Sequence, residues 1–188
     1  NYLIKSYNFL CKYEPIALSN RARVIDKFSN LHKRRNQKPK DKIIQLKKNR
    51  ILKSYFLPFE RPIVAPTVIY ERKTLLKYWE KYKLRNLSIF EDPRIFYYFS
   101  ERGKFLEYQD TSLYSYRKHD NHISTIRKEI DRLRLINWLK NLKINKSFKF
   151  LLMVGAKLQF LIFYKKISYG NTIFNKILYK LRYAFIDY

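Results

Sequence analysis

Apolar positions along this chain recur mostly at intervals of three and four, the spacing that places them on one face of an α-helix. Val24, Ile25, Phe28 and Leu31 follow Ser19 and Asn20, whose side chains suit an N-cap, and predict a first helix that runs into Lys33, Arg34 and Arg35. Residues 36–40 contain Pro39 and no apolar residue, which predicts a loop. Asp41 then caps a second basic helix, with Ile43, Ile44, Ile51, Leu52, Tyr55 and Phe56 as its apolar side. Lys47, Lys48, Arg50 and Lys53 occupy much of the remainder. Pro58, Pro62 and Pro66 interrupt 57–67 and predict an extended connector, because proline removes a backbone donor and restricts the residue before it.

Past the connector, Leu75, Leu76, Trp79 and Tyr82 predict a helix over 68–85, and Glu91-Asp92-Pro93 suits the first turn of a shorter aromatic helix that ends near a turn at Gly103. The clearest periodicity is Ile123, Ile126, Ile130, Leu133, Ile136, Leu139 and Leu142, which predicts a helix from residue 120 or 121 to 143 that anchors the core. Residues 148–167 are densely apolar, so they read either as a buried helix, the preferred reading, or as a short β hairpin turning near Gly155-Ala156. A last helix follows Thr172, with Ile173, Phe174, Ile177, Leu178, Leu181 and Phe185 on one face and Lys180 and Arg182 where the helix dipole favours cations.

The expected fold is therefore mainly α, a small helical body with long basic extensions. Four segments follow: a basic N-terminal arm with helices (1–56), the Pro-containing connector (57–67), a helical body (68–145), and a basic aromatic region packed on that body (146–188). No internal repeat is visible. No secretory leader is expected over 1–13, which lacks a basic start followed by an apolar run, and a first residue other than Met is not taken as the natural N-terminus.

Charge changes this picture most. The net charge is +26 over 188 residues, yet 46% of the residues are hydrophobic, so the chain is not a disordered polycation and can bury a core. Residues 21–53 carry 13 basic and two acidic residues, 71–131 carry 13 and 10, and 132–186 carry 12 and none. A nearly balanced middle between two cationic stretches needs a polyanion on both sides, and nucleic acid rewards each neutralised phosphate with counterion release.

Candidate RNA contacts fall in those stretches. The sharpest is the run Lys33 to Lys42, KRRNQKPKDK, in which Lys33, Arg34, Arg35, Lys38, Lys40 and Lys42 can follow a phosphate backbone. Arg34 and Arg35 can also stack on bases or bind phosphates bidentately. A solvated charge run or a short localisation signal is the plainer alternative. Arg21 and Arg23 precede the run, and Lys47, Lys48, Arg50 and Lys53 follow it. Tyr114, Tyr116, Arg117 and Lys118 mix aromatics with cations as unpaired bases require, although core packing is the default for any one Tyr. Lys143, Lys146, Lys149, Lys165 and Lys166 complete the set.

Little else carries chemistry. Gly occurs only at 103, 155 and 170, so phosphate-cradling glycine loops and dinucleotide fingerprints are excluded, and the single Cys11 excludes an intramolecular disulfide or a multi-thiolate zinc site. His119 and His122 lack a third ligand at a familiar spacing, so no metal is expected; helix-cap surroundings or RNA contact suit them better. Glu91 with Asp92, and Glu101 with Glu107, read as ion-pair partners rather than as acid–base catalysts. A maturase-like or nuclease-like enzyme would need an acid cluster for Mg²⁺, which 132–186 cannot supply. The expectation is a non-enzyme without cofactor or small-molecule substrate. Residues 150–164 resemble a membrane span, but 15 residues with Lys157 inside fall short of the about 20 apolar residues that a spanning helix needs.

Phe, Tyr, Ile, Lys and Asn supply 90 of the 188 residues, a bias that AT-rich coding produces. With that bias, the basic arms and the KRRNQKPKDK run, the chain resembles organellar ribosomal proteins, in particular those encoded in the mitochondria of ciliate-like protists. The resemblance lies in composition and charge layout, with no motif of a named subunit family, so it carries no family residues over. It implies a structural constituent of the mitochondrial ribosome, in the matrix, with ribosomal RNA and neighbouring ribosomal proteins as partners. The other class considered is a supernumerary subunit of an inner-membrane respiratory complex, with basic faces on anionic lipid and 150–164 facing the membrane.

Overall fold

The computed structural model describes residues 2–25, 28–30, 42–57, 63–82, 91–110, 113–117 and 128–164. In chain order its elements are α1 (Tyr2–Tyr13), β1 (Ala17–Asn20), β2 (Arg23–Ile25), β3 (Ile43–Gln45), α2 (Lys48–Phe56), a 3₁₀ turn (Ala65–Thr67), β4 (Ile69–Tyr70), α3 (Arg72–Tyr82), α4 (Glu91–Arg102), β5 (Phe105–Tyr108), β6 (Ser115–Arg117), α5 (Lys128–Asn141) and α6 (Lys146–Tyr164). The described residues thus combine six α-helices with a small mixed sheet, an α/β arrangement rather than a purely helical body.

The sheet corrects the reading of the N-terminal third. Its order is β3-β5-β1-β4, with β1 and β5 parallel at the centre and an antiparallel strand on either side. All four residues of β1 and all four of β5 are buried. Ser19 and Asn20 are therefore core strand residues and not helix caps. The Asn20 N–H donates to Thr67 Oγ1 (3.1 Å), the Thr67 hydroxyl lies 2.7 Å from the Asn20 carbonyl oxygen, and Asn20 Nδ2 donates to the Asp110 carbonyl at 3.2 Å. The Ser19 hydroxyl donates to the Leu106 carbonyl (3.4 Å), and with the Asn20 Nδ2 bond this offsets part of the cost of burying two polar side chains in a strand.

Further along, Val24 and Ile25 belong to β2, which pairs in parallel with β6, and Ile43 and Ile44 belong to β3. The second helix begins at Lys48 rather than after Asp41. β1 and β3, from the segment expected as a basic arm, pair with β5 from the segment expected as the body, so both lie in one sheet. Within the expected connector, Ile63 is buried and Ala65–Thr67 form a 3₁₀ turn, so its end packs into the fold instead of spanning it as an extended link.

α4 is the hub of the core. Phe96 and Phe99 are fully buried against Ala17, Phe105, Ile51 and Tyr78, while Tyr97 turns the other way into a second cluster with Leu52, Phe56, Leu139, Leu152 and Ala156. Each of the Phe, Ile and Leu side chains among them contributes about 1.5–3 kcal/mol by burial. α5 was expected to anchor the core, but among its described side chains only Leu139 is fully buried and Leu133 is 60% exposed. The residues 148–164 are helical, which rules out the hairpin there. Gly155 lets α6 approach the end of α2 instead of turning the chain: a β-carbon at 155 would lie 2.5 Å from the Phe56 carbonyl oxygen. The expected last helix after Thr172 lies outside the described residues.

Candidate nucleic-acid interface

α1 has no counterpart in the sequence reading, because Leu3, Ile4 and Tyr7 make its outer face apolar too and blur the periodicity. Its inner face presents Lys5, Asn8, Phe9, Lys12 and Tyr13 at the three- and four-residue spacing of one helix side. That side forms one wall of a groove of about 820 Å³, with Lys42, Ile43 and Gln45 of the β3 edge opposite and Lys104, Leu106 and Tyr108 as its base. The Phe9 and Tyr108 rings meet at 4.5 Å, which fixes the helix against the sheet.

Among the described residues, four lysines and no carboxylate line this groove. Lys5 Nζ pairs with Asp110 at 3.8 Å, and Lys104 Nζ donates to the Tyr13 carbonyl at 3.4 Å. Lys12 Nζ sits 5.2 Å from the centre of the Tyr13 ring, and Lys42 is exposed on the opposite rim. Lys47 and Lys48 lie two and three residues beyond Gln45, within about 11 Å of the rim by chain length. A groove walled by cations, with aromatic rings at its base, can hold the sugar–phosphate backbone of a single strand.

The other expected contacts separate into groups. Arg21 is half-buried and its Nε bonds Glu107 Oε2 at 3.4 Å, a structural ion pair. Arg23 donates to Ser115 Oγ (2.6 Å) and Arg117 to Ser29 Oγ (3.0 Å) on the exposed β2–β6 ribbon. Lys47, Lys48 and Arg50 are exposed at the start of α2, where their charge adds to the positive end of the helix dipole, and Lys53 is half-buried in its last turn. Lys143, Lys146 and Lys149 cluster at the turn between α5 and α6, and Lys149 Nζ donates to the Lys140 carbonyl at 2.8 Å. Lys33, Arg34, Arg35, Lys38, Lys40, Lys118, Lys165 and Lys166, with His119 and His122, lie outside the described residues. Of the described members of the expected set only Lys42 lines the groove; Lys5, Lys12 and Lys104 were missed, though the Lys5-Asn8-Phe9-Lys12 spacing was a usable signal.

The acidic pairs have structural partners. Buried Glu91 accepts a hydrogen bond from the Tyr78 hydroxyl (2.8 Å) and another from Arg94 (3.2 Å), and burial is the main reason that the Tyr78 phenol is pushed far up. Burial also raises the Asp92 carboxyl to about 6, with the Glu91 carboxylate adding to it. Among the described residues no group of three or more His, Cys, Asp or Glu could hold a metal ion, and no helix is long and apolar enough to cross a membrane. No known protein-family model matches the chain, and no curated protein matches it.

Proposed function

We propose that the protein is a non-catalytic constituent of the mitochondrial ribosome that binds and positions ribosomal RNA through phosphate contacts. The observation that carries this reading is the groove between α1 and the β3–β5 edge, whose lining among the described residues holds Lys5, Lys12, Lys42 and Lys104 and no acid. The overall charge of +26 supports a polyanionic partner, and the ion pairs of Arg21, Glu91 and Glu107 account for acids that an enzyme would otherwise claim. In this reading the sheet and α4 form a rigid body, and the cationic groups around it neutralise phosphates of separate RNA segments and hold them in register.

The test is the salt dependence of single-stranded RNA binding. Each phosphate contact contributes about 0.7 to the log–log slope, so Lys12→Gln with Lys42→Gln should flatten it by about 1.4, and neutralising Lys33, Arg34, Arg35, Lys38 and Lys40 by up to about 3.5. Unchanged slopes in both variants would refute the phosphate role. Sedimentation of the native protein with ribosomal subunits, and its release by high salt without detergent, is expected. Retention in a membrane pellet until detergent is added would place it in an inner-membrane complex instead.

A further inference from the structure

Strand alternation sorts the cations along β1 and β2 between the two faces of the sheet. Tyr108 lines the groove and pairs with Asn20, so Asn20 belongs to the face that α1 covers. Arg21 is the next residue and bonds Glu107, the residue before Tyr108, so both belong to the opposite face. The backbone stays extended past β1: the Arg21 N–H donates to the Tyr108 carbonyl and the Arg23 N–H to the Tyr114 carbonyl, both at 3.0 Å. Two N–H groups one residue apart that turn toward the same neighbouring segment put their side chains on one face. Arg23 therefore points away from the groove.

β6 adds a second arginine to that face. In the β2–β6 register Arg23 stands opposite Ser115 and Ile25 opposite Arg117, so Arg117 lies two residues and one strand away from Arg23 on the same side. With about 3.3 Å per residue and about 4.8 Å between strands, their Cα atoms are roughly 8 Å apart. Both side chains are exposed. Each guanidinium is aimed by a hydroxyl, since Arg23 Nε donates to Ser115 Oγ at 2.6 Å and Arg117 Nη2 to Ser29 Oγ at 3.0 Å. A guanidinium carries five N–H donors, so one hydroxyl orients the fork without filling it.

The ribbon itself calls for a partner. A pair of strands is marginally stable alone in water, and among the described residues no third strand flanks β2 or β6. Two planar forks, set side by side on one face, suit a ligand that brings anionic oxygens in pairs at short intervals along a line. A phosphodiester backbone has that form, and guanidinium binds it bidentately.

We propose that the β2–β6 ribbon grips a second RNA strand through Arg23 and Arg117, so that the protein bridges two strands, one in the groove and one on the opposite face of the sheet. The proposal rests on the RNA-binding reading and adds a bridging activity to it. Asn20 and Arg23 are separated by at most about 11 Å of chain, so the two strands are held at a short, fixed separation. Only phosphates are contacted, so bridging is independent of sequence.

Bridging can be read directly. Full-length protein is mixed in physiological salt with a biotinylated and a fluorescent oligouridylate, which cannot pair with each other, and the fluorescence held on streptavidin beads is measured. The parent protein should hold the fluorescent strand. Arg23→Gln with Arg117→Gln should lower that retention at least about fivefold while anisotropy still shows one strand bound, and Lys12→Gln with Lys42→Gln should do the same from the other face. Arg23→Lys with Arg117→Lys keeps the charge and should keep the parent's salt dependence, which collapse of the ribbon would not. Retention that survives the arginine-to-glutamine pair overturns the ribbon site and leaves the groove reading standing. One strand bound by the parent without retention of a second overturns the bridge. Binding of neither strand overturns the RNA reading as well.

Discussion

Gly155→Ala tests the packing of α6 on α2, and two opposing effects decide its sign. In a helix interior the exchange gains about 1 kcal/mol in propensity. Against that, the new β-carbon would stand 2.5 Å from the Phe56 carbonyl oxygen and 2.6 Å from Leu57 Cδ2. Leu57 can rotate, but the carbonyl cannot, because it belongs to the last residue of α2 beside fully buried packing. α6 must therefore back away by nearly 1 Å, and such a gap forfeits a quarter to a half of each contact across Leu52, Phe56, Leu152 and Ala156. Overpacking of this kind costs about 1–3 kcal/mol, so after the gain in propensity the net expectation is a loss of up to about 2 kcal/mol. Urea unfolding followed by far-UV circular dichroism would show it as a lower midpoint at unchanged slope. Leu57→Ala in the same chain removes the 2.6 Å contact but not the 2.5 Å one, and should restore only part of the loss, with a coupling of about 0.5–1 kcal/mol. A Gly155→Ala protein more stable than its parent by the full helix-propensity gain of about 1 kcal/mol would refute the close approach of the two helices.

Two further outcomes follow from the acidic start of α4. Tyr78→Phe leaves buried Glu91 with Arg94 as its remaining partner of the two, so unfolding experiments should show a loss of about 1–3 kcal/mol; a neutral result would mean that the Tyr78–Glu91 bond is not formed. Asp92 is raised from 3.8 to about 6, so its contribution to stability is fully present below about pH 4 and is lost as pH rises through 6. The shift corresponds to about 3 kcal/mol, reduced by up to about 1 kcal/mol because the first turn of a helix favours an anion. Asp92→Asn should thus be more stable than the parent by about 2 kcal/mol at pH 7.5 and equal to it near pH 4; a pH-independent difference would refute burial as the cause.

Much of the helical part of this protein was legible in the chain. Glu91-Asp92-Pro93 marked the start of α4, Gly103 its end, and the apolar density of 148–164 a helix that the structure confirms. These features are local, since a capping acid or a run of apolar residues needs no distant partner to be read. β1 and β5 were illegible for the opposite reason. They are four residues long and buried on both faces, so they show no alternation, and Ser19 and Asn20 look like caps until Thr67 and the Asp110 carbonyl are brought beside them. α5 shows how periodicity can mislead, because its spacing is regular but the core turns around α4.

The functional residues divide along the same line. Net charge, the shortage of glycine and the single cysteine are properties of the chain alone, and from them follow the expectations of a polyanionic partner and of no glycine phosphate loop, intramolecular disulfide or multi-thiolate zinc site. Which cations act together was decided only by the tertiary structure. Lys5, Lys12, Lys42 and Lys104 stand up to 99 positions apart and face one groove because β5 pairs with both β1 and β3 while α1 packs across them through Phe9 and Tyr108. Arg23 and Arg117 likewise share one face only because β2 pairs with β6. Charge adds up over a sequence regardless of order, whereas a groove or a shared face exists only where non-local pairing fixes the distance between its parts.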